Sequence, residues 1–168
     1  NPRAFMVSVD PSDGYGYCLC EDCKGLGNSS DRVIHLANEV AKAVGAKYPG
    51  KLVGLYAYNF HSEPPEFDLA PNVYVQLTSG FIRGRYSHAE LLELWPKKCK
   101  NMGFYEYYSV YQWNHDMLPG GNGGNVAHHR SRIPEFYRHN ATSIDAESGN
   151  NWGVHGRGYI VANRLMWD

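Results

Sequence analysis

Short apolar runs alternate with amphipathic segments along this chain, which is the pattern of strands and helices in turn. Residues 4–9 predict a short buried strand, which ends where residues 10–14 have turn chemistry. A helix capped by Ser30 is expected next, because apolar residues recur at intervals of three and four up to the break at residues 48–50. The apolar positions of this helix are Val33, Leu36, Ala37, Val40, Ala41 and Val44.

The second and third strands are predicted at residues 52–58 and 72–78. The connection between them, residues 61–71, has about the minimum length of ~12 residues that joins parallel neighbours. Pro64 and Pro65 argue against a helix in this connection, so we expect a crossover without one.

The alternation continues in the second half of the chain. Ser87 and Glu90 have the spacing of a capping box, which opens a helix that runs through Trp95. A fourth strand is expected at residues 103–111 and a fifth at residues 141–147.

Two helical segments accompany these last strands. Residues 128–140 are expected to be helical in two pieces, with Pro134 in the first turn of the second piece. A final helix is predicted for residues 158–167. Strands that alternate with helices favour a parallel sheet or a barrel.

Side chains alternate across a strand, so each predicted strand has two faces. One face is mostly apolar: Phe5, Val7 and Val9; Val53, Leu55 and Ala57; Val73, Val75 and Leu77; Thr142, Ile144 and Ala146. The other face carries more polar and aromatic groups: Met6, Ser8 and Asp10; Gly54, Tyr56 and Tyr58; Tyr74, Gln76 and Thr78; Ser143, Asp145 and Glu147. Both faces of the fourth strand are aromatic, and we assign Phe104, Glu106 and Tyr108 to its polar side.

A polar second face argues against an ordinary doubly wound sheet, because helices cover both faces of such a sheet. In a barrel, the apolar faces lie under outer helices and the polar faces point inward, towards a mouth at the C-terminal ends of the strands. The chain has 168 residues, fewer than the ~250 of a complete eight-stranded barrel. Residues 1–168 are therefore expected to form a single partial (β/α)-barrel domain of the α/β class.

Composition and charge narrow the range of partners. The net charge is -1 and the charged residues are scattered, so nucleic acid and anionic membrane surfaces are not expected partners. No apolar stretch approaches the ~20 residues of a membrane span. Aromatic residues make up 14% of the chain, with 13 Tyr and 4 Trp, and their flat faces with a polar group suit a pyranose ring. Carbohydrate is therefore the predicted ligand.

Several motifs occur in an order typical of one family. They are Val7-Ser8-Val9-Asp10-Pro11-Ser12-Asp13-Gly14, Tyr17-Cys18-Leu19-Cys20-Glu21-Asp22-Cys23, Leu55-Tyr56-Ala57-Tyr58, Pro71-Asn72-Val73-Tyr74-Val75-Gln76, and Asn151-Trp152-Gly153 to Leu165-Met166-Trp167-Asp168. With these motifs the chain resembles, over nearly its whole length, the bacterial family catalogued as domain of unknown function 4838.

The resemblance implies a glycoside-hydrolase-like TIM barrel, similar in outline to the barrels of α-glucuronidases and β-hexosaminidases. The latter barrels lack a helix after their fifth strand, which suits the helix-free connection of residues 61–71 if the first strand here is barrel strand four. The chain would then hold strands four to eight, the C-terminal part of a (β/α)8 barrel, and would lack the first three strands.

Glycoside hydrolysis usually needs two carboxyl groups, one on each side of the scissile bond. Asp13 directly follows the first strand, and Glu106 and Glu147 lie on faces assigned to the barrel interior, so these three are the predicted catalytic residues. A glutamate beside Tyr108 in such a place would have its pKa raised by desolvation and would suit the role of acid. A turn-forming role is the alternative for Asp13.

Aromatic and amide side chains near the strand ends are the candidates for substrate binding. Those expected to stack on sugar rings or to contact hydroxyl groups are Tyr56, Tyr58, His61, Gln76, Tyr108, Trp113, Asn151 and Trp152. Packing is the alternative for any single tyrosine of a strand. Arg83 and Arg85 fit either a uronate carboxylate or a solvated loop, and His128-His129 is expected to be a surface pair.

Three cysteines form a separate cluster in the sequence. Cys18, Cys20 and Cys23 fit a structural zinc site with a fourth ligand, one short disulfide, or free thiols, and Cys99 is distant from them. The eight histidines form no H-E-x-x-H motif, so no cofactor is expected for catalysis.

The leading hypothesis is a glycoside hydrolase-like domain that binds and hydrolyses glycosidic bonds in a polysaccharide or glycoconjugate. We expect an exported protein, located in the periplasm, at the cell surface or outside the cell. The main rival hypothesis is a non-catalytic carbohydrate-binding barrel that has the aromatic platform without a working carboxylate pair. A third is a scaffold whose cysteine loop binds metal and a partner protein.

Overall fold

The computed structural model of this chain describes residues 3–13, 16–109, 121–149 and 152–167. It is an α/β fold with a five-stranded sheet in which the strands follow the order of the chain, an order consistent with part of a barrel. The strands are β1 (Met6–Ser8), β2 (Leu52–Ala57), β3 (Val73–Thr78), β4 (Met102–Tyr107) and β5 (Ala141–Glu147). The helices are α1 (Glu21–Gly25), α2 (Ser29–Lys47), α3 (His88–Lys98), α4 (Val126–Arg138) and α5 (Trp152–Trp167).

The chain divides into two compact units, Asn1–Met102 and Gly103–Asp168. In the first unit β1, β2 and β3 pair in parallel, as predicted. The apolar faces of β2 and β3 coincide and are buried, with Val53 beside Val73, Leu55 beside Val75 and Ala57 beside Leu77. These residues form the centre of the first unit's core.

The N-cap of helix α2 lies two residues before the predicted cap. The side chain of Asn28 accepts a hydrogen bond from the backbone of Asp31, and Asp31 returns one to the backbone of Asn28, which makes a complete capping box. The prediction that Ser30 caps this helix is therefore wrong. Ser30 is buried inside the first turn, and its hydroxyl accepts a hydrogen bond from the backbone N–H of Glu63 at 3.1 Å.

The connection from β2 to β3 contains one short 3-10 turn, Asn59–His61, and no α-helix, as predicted. A buried asparagine of α2 takes over part of the hydrogen bonding that a helix would supply. The amide of Asn38 donates to the carbonyl of Asp68 at 2.9 Å and accepts from the backbone of Ala70 at 2.8 Å. An extended crossover can therefore lie against α2 with backbone groups satisfied.

The predicted capping box of α3 is confirmed, with Ser87 and Glu90 in reciprocal hydrogen bonds. Pro96 lies inside the helix without ending it, since α3 continues to Lys98. Trp95 is fully buried, and its indole N–H donates to the carbonyl of Ser62 at 2.8 Å. This bond fixes the start of the helix-free connection.

The apolar face predicted for the first strand is not covered. Phe5 is 69% exposed and Val7 is 46% exposed, so the prediction that this face lies under outer helices is wrong for them within the described structure. Opposite them, the side chain of Met6 lies against Gly54, and its sulfur occupies the space that a β-carbon would need. A glycine at this position of β2 is therefore required by the packing of β1.

In the second unit, α4 is one continuous helix with Pro134 inside it, which contradicts the two predicted pieces. Helix α5 begins at Trp152, six residues before the predicted start. Gly158 lies so close to the carbonyl oxygen of Gly123 that a β-carbon there would overlap it. This close approach positions α5 against the 3-10 turn Asn122–Gly124.

The core of the second unit joins β5 to both helices. Ile144 and Ala146 of β5 pack against a buried cluster that includes Ile133 of α4 and Ala162 of α5. The predicted apolar face of the fifth strand is therefore confirmed at these two positions.

Within the described ranges, no helix combines the length and the apolar character that crossing a membrane would need.

Candidate functional site

The polar faces of β2 and β3 meet as predicted. Tyr56 is the register partner of Gln76, so the two side chains lie next to each other on the same face of the sheet. Both are half-buried, while the residues that flank them, Leu55 and Val75, are buried on the opposite face. An aromatic ring and a primary amide therefore share a partly open surface.

Asp10 ties the end of β1 to this surface. Its Oδ1 accepts a hydrogen bond from the backbone N–H of Tyr56 at 2.6 Å, and its Oδ2 bonds the hydroxyl of Ser8. The sequence pattern placed Asp10 on the polar face of the first strand but did not identify it as a site residue. Its position directly after the strand was the signal that could have done so.

His61 is the centre of a small aromatic and polar group after β2. It is buried, and its Nδ1 lies 3.1 Å from the hydroxyl of Tyr17. The ring of Tyr58 meets the His61 ring edge-on at 6.0 Å between centroids. The predicted residues Tyr58 and His61 are thus brought together, and Tyr17 is an addition for which the sequence held no signal beyond its place beside Cys18.

Burial lowers the pKa of His61, and the negative charges of Asp10 and Asp13 offset this lowering only in part. His61 is therefore neutral at physiological pH, and a hydroxyl donor such as Tyr17 can bond its Nδ1. The side chain of Asp13, a predicted catalytic residue, is exposed. Burial also raises the pKa of Tyr17.

Two residues after the strands have left-handed backbone angles that are uncommon outside glycine. Asn59 has a φ of 52° and Phe81 a φ of 57°. The loops that contain them are in contact, because the N–H of Arg83 donates to the carbonyl of Asn59 at 3.2 Å and the Phe81 ring meets that of Tyr58. Such conformations persist where the surrounding structure holds them, and they are often found at binding sites.

Arg85 pairs with a carboxylate of the chain. Its Nε and Nη2 each lie 2.9 Å from Oε2 of Glu63, and its backbone N–H bonds the other carboxylate oxygen. Glu63 is buried in this arrangement and lies against Gly84. The idea that Arg85 receives a uronate carboxylate is therefore not favoured, since its guanidinium already has an anionic partner.

In the second unit, the side chain of Glu106 faces helix α4. It is 1% exposed and lies 3.6 Å from Nε of Arg132 and 3.5 Å from Nε2 of His128. On the same side of β4, Phe104 stacks on Phe136 of α4 at 4.3 Å between ring centroids. The assignment of Phe104, Glu106 and Tyr108 to an inward face is therefore wrong, because the aromatic residues on both sides of β4 concealed which face the helix covers.

Tyr108 belongs to the same helix-facing side. Its ring meets His129 of α4 edge-on at 4.6 Å, and burial, with a smaller contribution from Glu106, raises its pKa. His129 is fully buried, with Nε2 3.1 Å from the carbonyl oxygen of Gly123, and burial lowers its pKa. The prediction that His128 and His129 form a surface pair is therefore wrong.

The opposite side of β4 carries Tyr105 and Tyr107, both half-buried, with their rings 5.3 Å apart. Alternation along the sequence puts these two tyrosines on one face of the strand, but it does not show which face a helix covers. At the end of β5, the half-buried side chain of Glu147 and the exposed one of Asp145 share one side of the strand. The carbonyl of Glu147 accepts from the backbone N–H groups of Tyr108 and Ser109, both at 3.0 Å.

A pocket of about 370 Å³ lies beside β5 and α5. Its polar and aromatic lining includes Tyr108, Asp145, Ser148 and Trp152. Trp152 is exposed, and its ring meets Tyr159 edge-on at 5.1 Å. The predicted binding residues Tyr108 and Trp152 therefore line one pocket within the second unit, whereas Trp113 and Asn151 lie outside the described residues.

The three clustered cysteines are brought together in space. Ligand atoms of Cys18, Cys20 and Cys23 all lie within 4.8 Å of one another, and all four cysteines of the chain are free thiols. Hydrogen bonding, first with the backbone of Cys23 and then with the Cys18 side chain, lowers the pKa of Cys20 to about 7. Hydrogen bonding with the side chain of Cys20, and then with that of Cys18, raises the pKa of Cys23 to about 11.

The comparisons with known proteins establish the family. The model of the family described as Domain of unknown function (DUF4838) matches residues 1–168. This chain belongs to that family. No curated protein and no solved structure matches it.

Proposed function

We propose that this chain is the C-terminal part, strands four to eight, of a glycoside-hydrolase-type (β/α)8 barrel that binds and hydrolyses a polysaccharide or glycoconjugate. The observation that carries the proposal is the lateral pairing of Tyr56 with Gln76 on a partly open face. A protein core does not need an amide and a phenol side by side. A ligand with apolar ring faces and many hydroxyl groups does.

The residues after β2 and β3 support the same proposal. Tyr58 and the neutral His61 add a second aromatic ring and a hydrogen-bonding imidazole at the carboxyl ends of the strands. In parallel α/β folds, ligands bind at that end of the sheet. The left-handed backbone of Asn59 and Phe81 lies in these same loops.

Two of the predicted carboxylates remain suitable for the chemistry. Asp13 is exposed after β1, and Glu147 is half-buried at the end of β5. Glu106 is already engaged with Arg132 and His128, so we assign it to the support of the strand–helix contact. Glycoside hydrolysis needs one protonated acid and one carboxylate. Each of these two residues is proposed for one of the two roles independently of the other, and the proposal includes no cofactor.

The test is hydrolysis and binding by the full protein that contains this chain, with a chromogenic-glycoside screen and a glycan array. Asp13→Asn and Glu147→Gln should each lower kcat by roughly 100-fold or more, the usual contribution of a general acid or base. Glu39→Gln is the matched control, because Glu39 is an exposed carboxylate of α2 that pairs with Lys42. Hydrolysis at the wild-type rate in both variants would remove the catalytic assignment.

Binding is tested separately by Gln76→Ala, which should weaken glycan affinity by about fivefold, the effect of losing one hydrogen bond. A protein that binds glycans but hydrolyses none would match the second candidate, a non-catalytic carbohydrate-binding barrel. The engagement of Glu106 favours that candidate, because it removes one of three acids from consideration. The absence of any glycan binding would reject both. An exported protein is part of the proposal.

A further inference from the structure

The loop between β1 and α2 brings three thiols to one point. The Sγ atoms of Cys18 and Cys20 are 3.4 Å apart, and Sγ of Cys23 lies within 4.8 Å of both. Three thiolates around a tetrahedral zinc, with Zn–S bonds of ~2.3 Å, have their sulfur atoms ~3.8 Å apart. The observed spacing needs only small side-chain rotations to reach that value.

The backbone around these thiols is held in place by hydrogen bonds. Helix α1 starts directly after Cys20, and the carbonyls of Cys20 and Cys23 accept from Lys24 and Leu26. The guanidinium of Arg32 on α2 donates to the carbonyl of Cys18 at 2.7 Å and to that of Gly27 at 3.0 Å. One side chain of a long helix therefore bonds the chain on both sides of Cys20 and Cys23, at Cys18 and at Gly27.

The three thiol groups favour particular metal ions. Thiolates prefer soft or borderline metal ions, and a tetrahedral arrangement of sulfur donors is typical of zinc. The thiols of Cys18 and Cys20 are exposed and that of Cys23 is half-buried, so an ion can reach them. We propose that Cys18, Cys20 and Cys23 bind one zinc ion, with water in the fourth position.

The fourth position is assigned to water because, among the described residues, the cluster of possible ligands contains these three side chains alone. Cys99 is buried elsewhere, with Sγ 3.3 Å from the carbonyl oxygen of Asn101. It is therefore the matched control for the loss of a thiol.

The zinc site lies next to Tyr17 in the chain, so zinc binding would affect the position of that residue. Cys18 directly follows Tyr17, whose hydroxyl contacts His61. An ion that fixes the three cysteines also restricts the backbone that presents Tyr17. The zinc site is a positioning element for this contact, and its presence does not depend on the proposed carbohydrate activity.

The experiment uses the full protein, purified under reducing conditions without added chelator. Wild type and Cys99→Ser should contain one zinc per chain by elemental analysis, and Co²⁺ exchange should produce thiolate-to-cobalt charge-transfer absorption. Cys18→Ser, Cys20→Ser and Cys23→Ser should each weaken zinc binding by more than ~100-fold, since even changes around the ligands weaken metal sites by ~10- to 100-fold. Circular dichroism confirms that each variant is folded.

A second readout follows the loop itself. Removal of zinc from the wild type should increase the rate of tryptic cleavage at Lys24, and zinc addition should restore protection. In the three serine variants, cleavage should be fast with or without zinc. Wild type without stoichiometric zinc, selective binding of Cu(I) instead, or serine variants that retain zinc would each overturn the proposal.

Discussion

The hydroxyl of Tyr17 lies 3.1 Å from Nδ1 of His61, across 44 positions of sequence. The contact links the loop between β1 and α1, which contains Tyr17, to the 3-10 turn Asn59–His61 after β2. Burial keeps His61 neutral, so the imidazole can accept a hydrogen bond from the phenol. A loop that is long in sequence is thereby attached to the end of the sheet.

Tyr17→Phe should lower the free energy of unfolding by about 0.5–1.5 kcal/mol, because it removes one partly buried hydrogen bond while keeping the ring. The measurement is urea denaturation followed by circular dichroism. Tyr48→Phe is the control, since Tyr48 is 52% exposed and should lose little. Equal stability of the Tyr17 variant and wild type would show that the contact contributes nothing to the fold.

Stability should fall as the pH is lowered below the ordinary histidine pKa of 6.5. Burial holds the pKa of His61 and of His129 below that value, so in this window the unfolded chain binds more protons than the folded one. The stabilisation is complete above pH 6.5 and is lost as the pH falls towards the folded-state pKa values. Urea midpoints measured across pH 5 to 8, a range chosen to span the transition of an ordinary histidine, test this.

His61→Gln and His129→Gln should each make this pH dependence shallower, whereas His35→Gln should leave it unchanged, because His35 is exposed on α2. The pH prediction fails if all three variants follow the wild-type curve.

Glu106→Gln should lower the free energy of unfolding by about 1–3 kcal/mol, the effect expected when a buried charged group loses its oppositely charged partner. The carboxylate of Glu106 is 1% exposed and lies beside Arg132 and His128. A neutral amide in its place would leave the partly buried positive charge of Arg132 without this negative partner. Glu135→Gln is the control. That residue makes a more exposed pair with the same arginine and should change stability by less than ~1 kcal/mol. Lost hydrolysis with unchanged stability would contradict the supporting role and restore a catalytic one.

Gly158→Ala should destabilise the second unit by about 1–3 kcal/mol or more, because a methyl group would overlap the carbonyl oxygen of Gly123 and push α5 away. Gly25→Ala makes the same chemical change in α1, where no atom lies within 4 Å of the added carbon. It should be neutral or stabilising by up to ~1 kcal/mol. Thermal unfolding of both variants shows whether the effect at Gly158 comes from overlap with Gly123 or from replacing a glycine in any helix. Similar melting temperatures for the two would contradict the close approach.

Much of the secondary structure followed from local patterns. The capping box at Ser87, the strand ends near Leu52 and Thr78, and the absence of an α-helix in residues 61–71 depend on neighbours in the sequence, and these predictions are confirmed. Family membership also depends on sequence alone, because motifs in a fixed order are properties of the chain. Alternation within each strand placed Tyr56 and Gln76 on the polar faces, whereas their pairing as register partners is a property of the tertiary structure.

The orientation of β4 was decided by tertiary structure. Alternation places Phe104 and Glu106 on one face of β4 and Tyr105 and Tyr107 on the other. Both faces carry aromatic and polar groups, so the local sequence does not show which face a helix covers. The stacking of Phe104 on Phe136 and the pairing of Glu106 with Arg132 settled the choice. Because side chains alternate, exchanging the two faces of a strand moves every side chain to the opposite side. Glu106 therefore faces helix α4 and does not belong to the predicted site.

The sequence by itself determined the order of the five strands and of the four longer helices, which family the chain belongs to, and which cysteines are close along the chain. Tertiary structure alone decided that Tyr17 reaches His61, that Glu63 engages Arg85, and that His129 is buried. The reason is physical: local periodicity and capping are interactions between neighbours. A side chain's partners across tens of residues depend on how elements pack, and that packing minimises the free energy of the whole chain.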